Sequence, residues 1–66
     1  MRIIANGSPY DVDGGITVAE FIRARELDPR FVVIERNGQP LERERYDEVR
    51  LDDGDRLELV RAVAGG

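Results

Sequence analysis

The stretch FVVIERNGQPL, residues 31–41, predicts a β-hairpin at the centre of this 66-residue chain. Residues 31–36 are rich in β-branched side chains, which fit the pleated surface of a sheet. Asn37-Gly38 is the strongest short signal for a two-residue hairpin turn, because both residues tolerate a positive φ. Residues 39–41 are therefore expected to return antiparallel to the first strand. Pro40 lacks a backbone N–H, so this returning strand is expected to be very short or to lie at a sheet edge.

The N-terminal segment predicts a second hairpin. Residues 1–5 form an apolar strand that stops at Asn6-Gly7-Ser8-Pro9, a dense turn signal, and residues 10–12 resume the strand. The break at Asp13-Gly14-Gly15 separates this hairpin from the element that follows.

One helix is predicted between the two hairpins, over residues 18–26. It begins at a capping box, in which Thr17 is followed three residues later by Glu20. An apolar stripe at helical spacing is formed by Val18, Phe21 and Ile22. Asp28-Pro29 is expected to end the helix, because proline removes a donor and disfavours helical geometry before it. Arg25 lies near the stripe, and we expect its methylenes to cover the core edge while its guanidinium reaches water.

The C-terminal part predicts a charged connection and then a last strand. Residues 42–48 offer only Tyr46 as an apolar anchor and are expected to form a loop or a single helical turn. Asp52-Asp53-Gly54-Asp55 predicts a turn with solvated carboxylates, since its spacing lacks the alternating ligands and terminal Glu of a calcium loop. Residues 57–60 alternate in polarity, which predicts a strand with Leu57 and Leu59 in the core.

Composition excludes several classes of function. The chain has no cysteine and no histidine, which removes disulfides, thiolate zinc sites, a nucleophilic thiol and the commonest general base. The net charge of −4, with acidic and arginine residues interspersed, argues against a nucleic-acid surface and favours a basic partner protein. No apolar run approaches the roughly 20 residues of a membrane span, and no signal peptide is recognisable, so we expect a cytoplasmic protein.

The order of elements predicts an α+β fold in which a mixed sheet of four to five strands packs on one helix. We expect one domain over residues 1–66, because a chain of this size cannot build two cores. Residues 63–66 are expected to form a flexible tail. It ends in Gly65-Gly66, which can thread a slot too narrow for other residues, and this makes the carboxylate of Gly66 the candidate reactive group.

These segments resemble the β-grasp, or ubiquitin-like, sulfur-carrier proteins of bacteria, most closely the ThiS family of thiamin biosynthesis. The resemblance is carried by NG at residues 6–7, TVAEF at 17–21, VVIERNG at 32–38, RERY at 43–46, DGDRLEL at 53–59 and AVAGG at 62–66. It therefore covers essentially the whole chain. Arg25 and Arg36 depart from it, since the family usually has aliphatic residues there, and Pro40 replaces a β-branched residue.

The resemblance implies that the chain is a protein co-substrate and not an enzyme. An E1-like adenylyltransferase of the ThiF type would join Gly66 to AMP from ATP. A persulfide donor would then convert the adenylate into a thiocarboxylate, whose sulfur a thiazole synthase of the ThiG type would use. Gly65 and Ala64 would thread the tail into these partners. The chain itself is expected to bind no metal or cofactor and to be a monomer when free.

Docking on these partners is assigned to the last strand and the residues after it. The predicted docking residues are Glu58, Val60, Arg61 and Val63, with Val33 and Glu35 sharing the open sheet face. Two groups of alternatives remain at this stage. One keeps the chemistry in another pathway: the molybdopterin-synthase small subunit, or a carrier for cysteine synthesis or tRNA thiolation. The other is a ubiquitin-like binding or conjugation module that carries no sulfur.

Overall fold

The computed structural model describes residues 1–62, which form a five-stranded mixed sheet with one α-helix across one face. The elements are β1 (Arg2–Ala5), β2 (Ser8–Asp11), α1 (Val18–Ala24), β3 (Val32–Arg36), β4 (Gln39–Leu41) and β5 (Arg56–Arg61). Single 3-10 turns at Pro29–Phe31 and Arg43–Arg45 complete the set. The predicted architecture is confirmed, and the expected flexible tail lies outside the described residues.

The last strand lies at the centre of the sheet, whose order is β2-β1-β5-β3-β4. β5 runs parallel to β1 on one side and antiparallel to β3 on the other. The two hairpins, β1–β2 and β3–β4, form the flanks. β4 is the predicted short edge strand, which suits Pro40 because no strand from residues 1–62 lies on its outer side. The sheet therefore depends on pairing the beginning of the chain with its C-terminal part.

Both hairpin turns contain two residues. Asn37-Gly38 has φ values of 52° and 82°, as expected for a turn with two positive φ values. The prediction of a four-residue turn over residues 6–9 was wrong, since only Asn6-Gly7, with φ of 49° and 83°, forms the turn. β2 already begins at Ser8, and Pro9 pairs with Ile4. Proline is tolerated there because β2 is an edge strand.

The helix begins as predicted but ends earlier. The Glu20 N–H donates to Thr17 Oγ1 (3.1 Å), and the Thr17 N–H donates to Glu20 Oε1 (2.9 Å), which completes the capping box. The predicted end at residue 26 was wrong, since α1 ends at Ala24. Glu26 adopts a left-handed conformation with φ of 60°. Its N–H bonds Arg23 O (2.8 Å), and the N–H of the following residue, Leu27, bonds Ile22 O (3.2 Å). This Schellman motif turns the chain away before the proline is reached.

The core lies between the sheet and α1. Its buried apolar side chains are Ile3, Ala5, Val18, Ala19, Phe21, Ile22, Val32, Ile34, Tyr46, Val49, Leu51 and Leu57. Tyr46 is the anchor predicted for the charged connection, and its hydroxyl donates to Val32 O (2.9 Å) and accepts from the Ile34 N–H (3.1 Å). This hydroxyl is therefore the hydrogen-bond partner of two backbone groups of β3, which β4 is too short to pair. Among residues 1–62, no helix is long and apolar enough to cross a membrane.

Candidate functional site: the end of the last strand

A buried carboxylate holds the beginning of β5. Asp55 accepts hydrogen bonds from Arg36 Nε (2.9 Å), Asn37 Nδ2 (3.0 Å) and the Asp52 N–H (2.8 Å). The prediction that this turn carries only solvated carboxylates was wrong for Asp55, whose side chain is 7% exposed. Arg36, where the resemblance led us to expect an aliphatic residue, is therefore the partner of a buried acid. This network joins the β3–β4 turn to the first residue of β5, since Asn37 Oδ1 also accepts from the Arg56 N–H (2.9 Å).

The hydrogen bonds of this network decide the ionisation of Asp55. Burial by itself raises the pKa of the Asp55 carboxyl, but the hydrogen bonds from the Asp52 N–H, Asn37 and Arg36 together outweigh burial and hold that pKa below its usual value. The carboxylate is therefore charged at neutral pH, and it forms an ion pair with the cationic Arg36.

The end of β5 is bound more sparsely than its beginning. β1 stops at Ala5, and the Asn6 side chain extends the pairing by one residue: Nδ2 donates to Leu59 O (3.2 Å) and Oδ1 accepts from the Leu59 N–H (2.8 Å). Beyond this point, within residues 1–62, β5 has a strand partner on the β3 side alone, where the Ala62 N–H donates to Phe31 O (2.6 Å). The last described residues therefore lie at a local sheet edge.

Four side chains on the helix-free face of the sheet form what we call the open-face patch: Val33, Glu35, Glu58 and Val60. The register places Val33 opposite Val60 and Glu35 opposite Glu58, which confirms that these residues share one face. Val33 and Val60 are 48% and 61% exposed. The two glutamates are like charges on directly opposed positions, an unfavourable arrangement, and neither forms an ion pair within residues 1–62.

Arg61 lies on the opposite face of the sheet from this patch. It continues the alternation of Leu57 and Leu59, and it is paired with the buried residue Val32. The predicted docking residues are therefore divided between two faces: Glu58 and Val60 lie on one, and Arg61 lies on the other, because strand side chains alternate. Val63, Ala64, Gly65 and Gly66 lie outside the described residues.

Arg61 contributes instead to a cavity of about 350 Å³ between the end of α1 and the end of β5, here called the arginine cleft. Its lining residues are Ala5, Asn6, Tyr10, Phe21, Arg25, Leu27, Val32, Leu59 and Arg61. The Arg25 guanidinium lies over the Tyr10 ring, with Cζ 4.5 Å from the ring centroid, and the side chain is exposed as predicted. Sequence reasoning did not foresee the cleft, although the position of Arg61 two residues after Leu59 was a usable signal.

Phe31 is a second feature that the sequence did not reveal. The sequence predicts that Phe31 begins the first strand of the hairpin over residues 31–41, but Phe31 ends a 3-10 turn before β3 and is 43% exposed. It lines an adjacent, more apolar cavity of about 430 Å³ together with Leu27 and Ala62. Phe31 and Leu27 thus provide apolar surface beside Ala62, which follows the end of β5. Within residues 1–62, no cluster of three or more His, Cys, Asp or Glu could hold a metal ion.

The strand order, the parallel β1–β5 pair and the single covering helix define a β-grasp, or ubiquitin-like, protein. The family model of ThiS matches residues 3–66, and the chain belongs to the ThiS family. The predicted family is thereby confirmed.

Solved structures agree with this assignment. The crystal structure of a thiamine biosynthesis protein (ThiS) from Geobacter metallireducens superposes with a TM-score of 0.82 and 36% sequence identity, covering all of both chains. The solution structure of a thiamine biosynthesis protein from the same organism gives a TM-score of 0.78 at 36% identity, over the whole of this chain and 88% of the other.

Curated relatives fall into two kinds. The sulfur carrier protein ThiS of Bacillus subtilis is 38% identical over 50 residues, which is 76% of each chain. Thiazole synthases of Paramagnetospirillum magneticum and Magnetococcus marinus are each 32% identical over 66 residues. That match covers the whole of this chain, which spans only 20% of the length of those two proteins.

Proposed function

We propose that this chain is a sulfur carrier of thiamin biosynthesis and that it carries sulfur as a thiocarboxylate on Gly66. The observation that carries this proposal is the match to the ThiS family, which runs through Gly66 and so includes both glycines. The similarity to the sulfur carrier protein of Bacillus subtilis supports the same role. In this role the chain is a co-substrate on which other enzymes act.

The chemistry begins with activation of an unreactive group. A terminal carboxylate has a pKa of about 3.5, so at neutral pH it is ionised and a poor electrophile. In the proposed cycle, a ThiF-type adenylyltransferase lets a Gly66 carboxylate oxygen attack the α-phosphorus of ATP, which forms the acyl-adenylate and releases pyrophosphate. The terminal sulfur of a persulfide then attacks the Gly66 carbonyl carbon and displaces AMP. A thiolate then attacks the donor-derived sulfur of the resulting acyl disulfide, which forms a new disulfide with the donor and releases the thiocarboxylate of Gly66.

The tail has to enter a closed partner site, because water would hydrolyse the adenylate. Gly65 has no side chain and Ala64 has only a methyl group, so neither would obstruct a narrow channel. The carrier domain would supply recognition, and the partner would supply ATP binding and catalysis.

The open-face patch is the surface that we assign to docking of the adenylating enzyme. Two exposed valines would bury apolar area against the partner. Glu35 and Glu58 would gain cationic neighbours that they lack within residues 1–62. A basic partner surface would also accelerate encounter with a chain of net charge −4, an effect that salt weakens.

A thiazole synthase of the ThiG type is the proposed acceptor of the sulfur. The thiocarboxylate sulfur is nucleophilic and can be incorporated into the thiazole ring. Two proteins named thiazole synthase contain a segment similar to the whole of this chain, so a carrier-like segment and that enzyme name occur together in single polypeptides. These relatives favour the thiamin pathway over the molybdopterin, cysteine and tRNA alternatives.

Intact-protein mass spectrometry tests the proposal. Incubation with the cognate adenylating enzyme, ATP and a persulfide source should add about 16 Da, the difference between sulfur and oxygen, at the C-terminus. Deletion of Gly66 should abolish this gain. Gly14→Ala is the matched control, since Gly14 has no neighbour within 4 Å of an added Cβ, and it should be loaded like the wild type. An unchanged wild-type mass, under conditions in which a known carrier is loaded, would exclude the sulfur-carrier function.

A further inference from the structure

We propose that the arginine cleft is a second recognition site, which binds a carboxylate of the adenylating enzyme on the face opposite the open-face patch. This inference rests on the proposed function, because it concerns the partner that the carrier must engage. Its basis is a cavity beside the end of β5 that two cationic side chains line together with Leu27 and Leu59.

The charge of the cleft is opposite to that of the whole protein. The chain has a net charge of −4, yet the residues between 1 and 62 that line this cavity include two arginines and no aspartate or glutamate. Within residues 1–62, Arg25 and Arg61 form no ion pair, whereas Arg2, Arg23, Arg30, Arg36 and Arg45 each have a carboxylate partner. A carboxylate that enters the cleft would therefore meet two available guanidinium groups.

Arg25 is already oriented for such a contact. Its guanidinium stacks on Tyr10 with Cζ 4.5 Å from the ring centroid, and the Tyr10 ring packs edge-on against the buried Phe21 at a centroid distance of 5.7 Å. Stacking occupies the flat face of a guanidinium and leaves its edge N–H groups for a carboxylate. Because the stack restricts the side chain beforehand, less conformational entropy is lost on binding.

Arg61 is the second cationic side chain that lines the cleft. It is the last residue of β5, beyond the point at which β1 and the Asn6 side chain cover that side of the strand. Leu27 and Leu59 line the cleft together with the two arginines. Apolar side chains beside an ion pair lower the local dielectric constant and so strengthen the pair.

The neighbouring cavity defines the rest of the ligand. It is lined by Leu27, Phe31 and Ala62, and it shares Arg61 with the arginine cleft. Of the two carboxylates that line it, Asp28 is already bound by Arg30, with Nη2 to Oδ2 at 2.7 Å, and Glu26 is the other. The geometry therefore fits a partner segment in which an Asp or Glu is adjacent to a large apolar side chain.

The two sites together would specify one orientation of docking. A partner that holds the end of β5 must present basic groups to Glu35 and Glu58 on one face and a carboxylate to Arg25 and Arg61 on the other. A reversed approach would place like charges together on both faces, which opposes binding. The charge arrangement would thus direct the tail into the enzyme.

Substitutions to glutamine test the cleft, because they keep most of the side-chain packing and remove the charge. Affinity for the purified cognate adenylating enzyme would be measured by calorimetry for Arg25→Gln, Arg61→Gln and the double variant. Each single variant should bind about 5- to 10-fold more weakly and the double variant weaker still. Arg43→Gln is the matched control, since Arg43 is exposed, lies outside the cleft and has no ion pair within residues 1–62, and its affinity should change less than about 2-fold.

Two further measurements separate the possible outcomes. Arg61→Lys should recover part of the affinity, since it restores the charge without the bidentate geometry. Titration with inorganic phosphate alone should leave the Arg25 and Arg61 side-chain NMR signals unshifted, and a shift equal to that caused by the enzyme would make the cleft a small-anion site and overturn the proposal.

The cleft and the proposed function can fail separately. If wild type gains sulfur and both cleft variants bind like Arg43→Gln, the cleft inference is wrong and the sulfur-carrier function stands. If wild type binds the enzyme through the cleft but gains no sulfur, the function is wrong and the recognition site stands. Absence of any wild-type binding would overturn both.

Discussion

The two ends of β5 differ in what their side chains contact. At the beginning, Asp55 is buried and hydrogen-bonded by Arg36 and Asn37, and Leu57 is 1% exposed. At the end, Val60 is 61% exposed, and Arg61 has no carboxylate partner within residues 1–62. One strand thus has a first end whose side chains are buried or hydrogen-bonded and a last end whose side chains are exposed or form no ion pair within residues 1–62.

This difference separates stability from recognition along a single strand. Side chains that are already buried or hydrogen-bonded stabilise the fold and are not free to contact a partner. Exposed valines and unpaired charges contribute little to the fold, and they gain contacts only when another molecule supplies them. The end of β5 from which the tail continues is therefore the end that a partner can contact. Substitutions at the two ends should therefore affect different measurements.

The largest expected effect is at Leu57. Leu57→Ala should lower the free energy of unfolding by about 3 kcal/mol, because it removes buried methyl groups and leaves a cavity in a small core. Val60→Ala, its control at the other end of the strand, should change that free energy by less than about 0.5 kcal/mol but weaken binding of the adenylating enzyme. Urea denaturation and calorimetry measure the two quantities. Equal losses of stability in the two variants would contradict the proposed difference between the two ends of β5.

The next effect is at Asp55. Asp55→Asn should cost about 2 to 3 kcal/mol of unfolding free energy, because it leaves the partly buried Arg36 without its closest carboxylate. The control is Asp52→Asn. Asp52 also pairs with Arg36, at 3.0 Å, but its side chain is 81% exposed, so that variant should lose less than about 1 kcal/mol.

The difference in unfolding free energy between wild type and Asp55→Asn should depend on pH in a defined way. The folded pKa of Asp55 lies below its unfolded value of about 3.9, so its contribution to stability is fully present above that value and is lost as pH falls through the folded pKa. The difference between wild type and Asp55→Asn should therefore be constant near pH 7 and shrink below about pH 4. Urea denaturation at a series of pH values measures it, and a difference that persists undiminished in acid would assign the effect to packing instead.

Tyr46 tests the same comparison on the neighbouring strand, because its hydroxyl is hydrogen-bonded to β3 beside the exposed end of β5. Tyr46→Phe should cost about 1 to 2 kcal/mol, since Val32 O and the Ile34 N–H lose their shared partner. The Ile34 amide should also exchange with solvent faster in this variant. Tyr10→Phe is the control, since the Tyr10 hydroxyl has no hydrogen bond within residues 1–62. An unchanged exchange rate at Ile34 would show that water replaces the hydroxyl without loss.

The smallest expected effect has the opposite sign. Glu35→Gln should raise the free energy of unfolding by about 0.2 to 1 kcal/mol, because it relieves the like-charge contact with Glu58. The same change should weaken binding of a basic partner, and added salt should reduce both effects. Glu42→Gln, an exposed position outside the sheet, should change neither. A loss of stability in Glu35→Gln would mean that Glu58 does not repel it.

Local signals were sufficient for most of the fold. Asn37-Gly38 and the Thr17/Glu20 capping box predicted their elements correctly, because each depends on residues within one turn. The alternation of Leu57 and Leu59 likewise identified the buried side of β5. The end of the helix was mispredicted, because Glu26 adopts a left-handed conformation that favours glycine and carries no sequence signal for it.

The candidate site could be predicted only in part. Val33 and Glu35 were correctly placed beside Glu58 and Val60, since alternation specifies the faces once strands are assigned. Arg25 and Asp55 were not foreseen in their roles, because each depends on a partner that only folding brings near: Tyr10 for Arg25, and Arg36 for Asp55.

The sequence by itself determined the elements, the family and the candidate chemistry at Gly66, because these depend on local backbone preferences and on residue types. The tertiary structure decided where β5 lies and how its two faces and two ends differ. Pairing of β5 with β1 joins segments about fifty residues apart, so its register sets which side chains are buried. Alternation along β5 separates Val60 from Arg61, but only the pairing with β3 shows that Val60 lies beside Val33 in the open-face patch and that Arg61 lies beside the buried Val32.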